Sequence, residues 1–324
     1  MTAGAADARR QDRTWLIALA ASLWGLSALW REPLAKQYPS LAVVFWEHVV
    51  LVVLVSPWIV GGVREVLRAS TRTKVSVLVI GAGSSALATT MFTAAFRLGD
   101  PITPQVLQKL QPLIALVLAA ALLGERLRRS FAWFAVPALA GAWLLSFKDP
   151  FAVSVDNLYA AGLALGAAAL WAAGTVLGRA ASAELAFRHL TALRFGVGLL
   201  ALALIAMLTS TSLAVDTSAA GNIVVLALVP GLLALLLYYR GLRQTPASRA
   251  TLAELAFPIT AALVGVTLLG RTLAPSQWVG FLVILASVVG LARHEGRSAT
   301  PAVAVPDGAD EALGIGHDAS EVVR

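Results

Sequence analysis

Two stretches of this chain repeat each other at long range. Residues 111–127 read QPLIALVLAAALLGERL, and residues 257–273 read FPITAALVGVTLLGRTL. Pro112 and Pro258 stand 146 residues apart, as do Gly124 and Gly270, and Arg97 and Arg243; Trp24 and Trp171 stand 147 apart. Solenoid units repeat every 20–50 residues or so. A period near 146 is instead a duplicated half-protein, and both copies are strongly apolar.

Composition says what solvates those halves. Hydrophobic residues make up 58% and charged ones 13%, against about 45–50% and about 25% in soluble domains. The mean hydropathy is +0.79. Lipid must therefore solvate much of the chain. There is no cysteine, which excludes disulfides, thiolate metal sites and cysteine nucleophiles. The net charge of +7 does not point to nucleic acid, because the basic residues fall in short loops between apolar runs, where they act as orientation signals. The first apolar run follows ADARRQDR and shows no small-residue cleavage site after it, so no cleavable signal is expected.

A helix needs about 20 residues, and at least roughly 17, to cross the hydrocarbon. Ten stretches qualify as expected spans: Thr14–Trp30, Leu41–Gly61, Val75–Phe96, Ile102–Leu123, Phe131–Phe147, Leu158–Leu177, His189–Leu208, Asn222–Tyr239, Thr251–Leu269 and Trp278–Leu291. The last is short and is expected to run a turn further at each end. The expected organisation is an all-α integral membrane protein of ten transmembrane helices in two five-helix repeats, 14–147 and 157–293. Polar tails at 1–13 and 294–324 flank them and are expected to be disordered. With the N-terminus inside, 18 Lys and Arg lie on the inner side; the outer side holds Arg31, Lys36, Arg97, Lys148 and Arg271, and Lys109 and Arg194 lie within spans. This bias places both termini in the cytoplasm of an inner-membrane, multi-pass protein. Five spans per half is odd, so the second half enters the membrane inverted. Inverted repeats put a binding site near the midplane between the halves.

Ionisable groups at membrane depth are costly and mark functional or buried faces. Glu47, Lys109, Arg194 and Glu254 stand within spans 2, 4, 7 and 9. Glu47 matches Arg194 across the repeat, and Gln108 matches Glu254, so each half holds an acid and a base with the signs exchanged. Glu47 and Lys109 lie roughly 10 Å inside the outer ends of their spans, at about 1.5 Å per residue. Arg194 and Glu254 lie as deep from the inner ends. Two ion pairs are expected, Glu47 with Lys109 and Arg194 with Glu254, serving as braces between helices or as gates and substrate contacts. Gln105, Gln108, Lys109 and Pro112 fall at i, i+3, i+4 and i+7 on one helical face; Thr251, Glu254 and Pro258 repeat the pattern. The prolines invite a kink, which makes a cavity wall or an amide-bonded packing face.

Trp15, Trp30, Trp58, Trp143 and Trp278 sit near span ends, as interfacial anchors do. Trp24 and Trp171 lie deeper and would either pack or stack on a ligand. Tyr238 and Tyr239 end span 8, where one is expected to meet a headgroup. Gly81, Gly83, Ser84 and Ser85 permit close helix approach; Ser84, Thr89 and Thr90 could also touch substrate. The four histidines have no metal-ligand spacing within a span, no serine sits in a nucleophile elbow, and no glycine loop precedes Lys and Ser/Thr as ATP hydrolysis requires. Neither an enzyme nor a metal or cofactor site is expected.

The helix 1 stretch LAASLWGLSALW, Pro112 followed by LLGERL, and YYRGLRQTPASRATLAELAFP before the second LLG resemble the EamA-type transporters of the drug/metabolite transporter superfamily, over residues 14–293. The resemblance implies ten helices around a central cavity, with the fifth and tenth at the periphery. It also implies ATP-independent export or uptake of a small metabolite; relatives handle amino acids, other metabolites and drugs. Arg271 departs from the pattern, since many such repeats carry Glu there. Small multidrug relatives exchange protons through an acid in helix 1, and Trp15 to Trp30 holds none. A Lys109 or Arg194 beside Glu47 or Glu254 would favour the charged carboxylates. The expected function is a carrier for a small polar metabolite, with an amino acid as one reading, acting as a monomer or homodimer in membrane lipid. The alternatives are a proton-coupled drug or metabolite exporter and a non-transporting membrane scaffold.

Overall fold

The computed structural model describes residues 13–98, 102–111, 113–114, 117–118, 121, 132–146, 149–151, 155–242, 253–254 and 256–298. Helices α1 (Thr14–Gly25), α2 (Ala28–Gln37) and α3 (Ser40–Arg68) are followed by α4 (Thr71–Leu98) and α5 (Ile102–Leu107), which tightens into a 3₁₀ turn at Gln108–Leu110. Helix α6 is Ala132–Ser146, α7 Val155–Ala181 and α8 Phe187–Thr209. Helix α9 runs through Ala220–Leu226, Ala227–Leu233 and Ala234–Leu242, and α10 (Ala256–Thr267) and α11 (Pro275–Ser298) complete the fold. There is no strand among the described residues.

The segments Ser40–Arg68, Thr71–Leu98, Asn157–Gly178, Phe187–Thr209 and Thr217–Tyr238 are long and apolar enough to cross a membrane, and Ala132–Leu145, Ala256–Thr267 and Pro275–Gly290 are shorter apolar helices. The first expected span is broken at Leu26 and Ser27 and continues as α2 well past Trp30. The last extends beyond Trp278–Leu291 at both ends, as expected, to Pro275 and Ser298. Large apolar side chains stay exposed on the outside, among them Val53 at 66%, Leu67 at 67%, Trp133 at 81% and Met207 at 76%. Such surface is compatible with hydrocarbon rather than water.

Packing follows the duplication. Helix α3 packs on α8, its counterpart in the other half, and α6 packs on α11. Helix α1 packs on α9 while α7 packs on α4, so each half's first helix meets the third helix of the other. Glycines permit the closest of these approaches: a Cβ at Gly81 would strike Val197, and one at Gly174 would strike Ser84. Both third helices contain a π segment, Val79–Leu87 in α4 and Ala227–Leu233 in α9. A π turn inserts an extra residue and rotates the side chains beyond it. Helix α10 ends where Gly270 takes φ +62°, a left-handed conformation that costs a glycine little.

One end of the bundle is tied across the halves. Glu184, in the turn between α7 and α8, accepts the Ser70 N–H at 2.7 Å and the Ser70 and Thr73 hydroxyls, each at 2.7 Å, from the turn that starts α4. The Ser70 backbone donor, followed by the two hydroxyls, holds the Glu184 carboxyl down at about 2, against an ordinary 4.5. A carboxylate whose folded value is depressed stabilises the fold fully above its unfolded value and loses that contribution as pH falls through the folded value. Glu184→Gln is therefore expected to melt lower than wild type at pH 7. The gap should narrow below about pH 4.5 and close near pH 2, which thermal melts of the detergent-solubilised protein would test.

Candidate functional site

A cavity of about 540 Å³ lies between the two halves, lined by Trp24, Arg31, Glu47 and Lys109 of the first and by Trp171, Arg194, Tyr238 and Glu254 of the second. It runs from the Arg31–Glu47 pair to Ser182 and Phe187, at the end of the bundle where Glu184 ties the turns. Both π segments contribute to it, through Ile80, Ser84 and Ser85 of α4 and Pro230 and Gly231 of α9.

The charges pair differently from the sequence expectation. Glu47 is held by Arg31, whose Nη2 reaches both carboxylate oxygens at 3.1 Å and whose Nη1 donates to Thr93 at 2.7 Å. All three are buried, Arg31 at 6% and Glu47 at 5% exposure. Lys109 pairs with Glu254 at 3.8 Å, so this ion pair joins the two halves. The expected Glu47–Lys109 and Arg194–Glu254 pairs are thus replaced by Glu47–Arg31 and Lys109–Glu254. The reason is that depth along a helix says nothing of its rotation. Arg31 was assigned to the outer loops because hydropathy falls after Trp30, yet α2 continues to Gln37 and turns Arg31 inward.

Lys109 and Glu254 each have a further partner. The Lys109 ammonium sits 4.5 Å from the Phe257 ring centroid, a favourable place for a cation. The Tyr238 hydroxyl donates to Glu254 Oε1 at 2.6 Å, and its ring lies 5.1 Å from Trp24. Tyr238 is therefore a cavity residue; of the two tyrosines expected to offer a headgroup contact, the side chain of Tyr239 lies outside the described ones. Trp171 meets Phe92 edge-on at 5.1 Å. Arg194 lies over the Phe195 ring at 5.9 Å. His48 has Nδ1 2.9 Å from the Val44 carbonyl, which can only accept, so that nitrogen donates; Nε2 faces the Ser85 hydroxyl at 2.9 Å.

Of the sequence candidates, the cavity brings together Trp24, Glu47, Gln108, Lys109, Trp171, Arg194 and Glu254, with Ser84 and Thr89. It does not include Gln105, which is fully buried. The 3₁₀ turn at Gln108–Leu110 breaks the helical register that put Gln105 and Lys109 on one face. Pro258 lies in the first turn of α10, where its missing N–H costs no hydrogen bond. Pro112 and Thr251 lie outside the described residues. The sequence reading missed Arg31, His48, Thr93 and Tyr238 as site residues; Tyr238 stands 146 residues after Phe92, an aromatic match across the repeat that could have found it.

Beyond the cavity, Glu32 is 3% exposed and meets both Lys36, at 2.5 Å, and Arg271. Arg271 thus bridges the second half to the buried acid of α2.

Residues 14–147 and 158–293 each match the EamA-like transporter family. This chain belongs to that family. It is similar to "Riboflavin transporter ImpX" of Fusobacterium nucleatum, at 32% identity over 292 residues, covering 86% of this chain and 96% of that protein. It is also similar to "Uncharacterized transporter YwfM" of Bacillus subtilis, at 34% identity over 197 residues, covering 60% of this chain and 65% of that one. A solved crystal structure at 21% identity aligns with a TM-score of 0.59 over 87% of this chain and 98% of the other, a likeness of fold. This EamA-like protein is accordingly a multi-pass membrane protein and a transporter.

Proposed function

We propose that this protein is a secondary carrier that moves a small polar metabolite, without ATP, by alternating access through the cavity between its repeats. The observation that carries this reading is the Lys109–Glu254 pair, whose two members come from different halves and face the same cavity. A contact that joins the halves in one conformation and parts in the other makes cavity access depend on their relative position. Inverted repeats give that motion its symmetry, since exchanging the conformations of the two halves moves the opening to the opposite face.

The walls suggest the shape of the cargo. Trp24 with Tyr238, and Trp171 with Phe92, add two aromatic pairs to a lining that also holds polar and charged groups. A planar polar molecule suits them better than a flexible aliphatic one. Riboflavin, carried by the ImpX relative according to its name, is the first ligand to try, and amino acids are the second. The test is counterflow in proteoliposomes preloaded with unlabelled riboflavin or an amino-acid mixture, with and without a pH gradient. A carrier accumulates labelled cargo transiently without any gradient, whereas a scaffold gives none. Trp24→Ala is expected to raise KM about fivefold for an aromatic cargo, which is roughly 1 kcal/mol of lost ring contact, with little change in melting temperature. Accumulation only with a pH gradient would mean proton coupling; none with either cargo, from protein shown to be folded, would contradict the carrier reading for these classes.

A further inference from the structure

An equivalent contact ties the two halves at each end of the bundle. At one end Ser70 and Thr73, where α4 starts, hold Glu184 in the turn between α7 and α8. At the other the Tyr38 hydroxyl, in the turn between α2 and α3, donates at 2.8 Å to Asp216, just ahead of α9. Tyr38 and Glu184 stand 146 residues apart, and so do Ser70 and Asp216. The backbone agrees: Ser70 lies at φ −59°, ψ 156° before α4, and Asp216 at φ −65°, ψ 147° before the 3₁₀ turn that leads into α9. Only the carboxylate has changed places with the hydroxyl. A tie made at both ends of one conformation survives when inverted halves exchange conformations, because each end then takes the geometry the other already has.

Beside these ties the two ends differ. The cavity runs along α7 to Gly178 and Ser182, and Ser182 is exposed. The positions 146 residues earlier are Glu32 and Lys36. The cavity stops short of both, at Arg31, which is buried. There Glu32 of the first half meets Arg271 of the second, and Lys36 on its own helix, through the same oxygen. Gly178 has no side chain, so its position cannot repeat this pair. We infer that Glu32–Arg271 is a latch that shuts the cavity at its Arg31 end, and that Tyr38–Asp216 and Ser70–Glu184 are pivots that stay made when the latch opens. This rests on the carrier reading above and assigns the contact that controls access at that end. The latch is built to open. Arg271 comes from the segment joining α10 and α11, and its side chain is 36% exposed. When it withdraws, Lys36 stays with Glu32, so opening does not strand a buried carboxylate, which is what makes breaking most buried pairs costly.

The chain has no cysteine, so introduced cysteine pairs carry spin labels without background. Gln37→Cys with Thr272→Cys flanks the latch. Gln37→Cys with Thr217→Cys, and Arg72→Cys with Ala183→Cys, flank the two pivots; all five positions are exposed. Distances are read by pulsed electron resonance on the full chain in lipid nanodiscs. Wild type is expected to favour the short distance across the latch. Arg271→Gln and Glu32→Gln should each raise the ratio of long to short distances about tenfold, the scale of one charge-assisted contact, while Arg271→Lys keeps it near wild type. Both pivot distances should stay single in every variant. Should Glu32→Gln fail to fold, Arg271→Gln decides, because Lys36 still partners Glu32 in it. An unchanged latch ratio in folded Arg271→Gln would overturn the latch, and a second pivot distance that grows with opening would overturn the pivots. Riboflavin and amino-acid counterflow are measured separately. A latch that opens as expected in a protein that moves neither cargo counts against the carrier reading alone.

Discussion

Replacing Arg31 by alanine is expected to be the most destabilising single change in the cavity walls, costing about 3–5 kcal/mol. Arg31 and Glu47 are each 7% exposed at the side chain. Removing the cation leaves a carboxylate with no compensating charge in a site that water scarcely reaches. It also removes the donor to Thr93 on α4. Because Arg31 is on α2, Glu47 on α3 and Thr93 on α4, three helices of the first half lose their common tie. The same physics predicts that removing both charges is far milder. A buried ion pair regains in attraction roughly what it loses in desolvation, so well-packed apolar residues can replace it at little net cost. The double variant Arg31→Met, Glu47→Leu is expected to recover most of the stability lost in Arg31→Ala. Denaturant titration in detergent, with thermal melting as a second readout, would check this. If the double variant is as unstable as the single, the loss comes from packing around the side chains and not from an orphaned charge.

How far the sequence could see depends on dimension. Hydropathy is read along the chain, and the five long and three shorter apolar helices overlap spans expected from it, while much of the fourth expected span, Ile102–Leu123, lies outside the described residues. The duplication, read from Pro112 with Pro258 and Gly124 with Gly270, pointed to two related halves, and the family matches over 14–147 and 158–293 agree with it. The partners of the buried charges required rotation about each helix and the spacing between helices, which no linear pattern carries. Arg31 shows this most plainly: a residue one position past an apolar run looked like a loop cation and is instead at the buried end of the cavity. Tyr238 looked interfacial because it stands at the end of an apolar run, yet α9 passes through a π segment before reaching it, and the ring lies against Trp24. Nothing in GAGSS or in Pro230-Gly231 announces a π turn on its own; only their equivalent places in the two halves make the pair recognisable afterwards. Arg271 was read as a departure from a family pattern. Its explanation is a buried partner, Glu32, nearly the whole chain away.

The Lys109–Glu254 pair is expected to behave in the opposite way to Arg31–Glu47, affecting turnover far more than stability. At 3.8 Å, with the side chains of Lys109 and Glu254 10% and 26% exposed, it is longer and on its Glu254 side wetter than the Arg31–Glu47 contact. Its length and the exposure of Glu254 make its contribution to folding smaller than that of the Arg31–Glu47 pair. Its members, however, come from opposite halves, so the carrier cycle proposed above would make and break it. Glu254→Gln or Lys109→Met is expected to lower riboflavin or amino-acid counterflow by roughly 30–150-fold, equivalent to losing one charge-assisted contact of about 2–3 kcal/mol in the state that needs it. The swap Lys109→Glu with Glu254→Lys restores the ion pair on paper but is not expected to restore transport. Position 109 faces the π cloud of Phe257, which favours a cation and repels a carboxylate. Position 254 receives the Tyr238 hydroxyl as donor; an ammonium there reverses the bond, the phenol oxygen accepting, and leaves the hydroxyl proton without its carboxylate. Adding Tyr238→Phe to the swap removes that second conflict and should recover part of the activity. Full recovery by the swap alone would reduce the pair to a simple brace and leave alternating access without the contact proposed here to couple the halves.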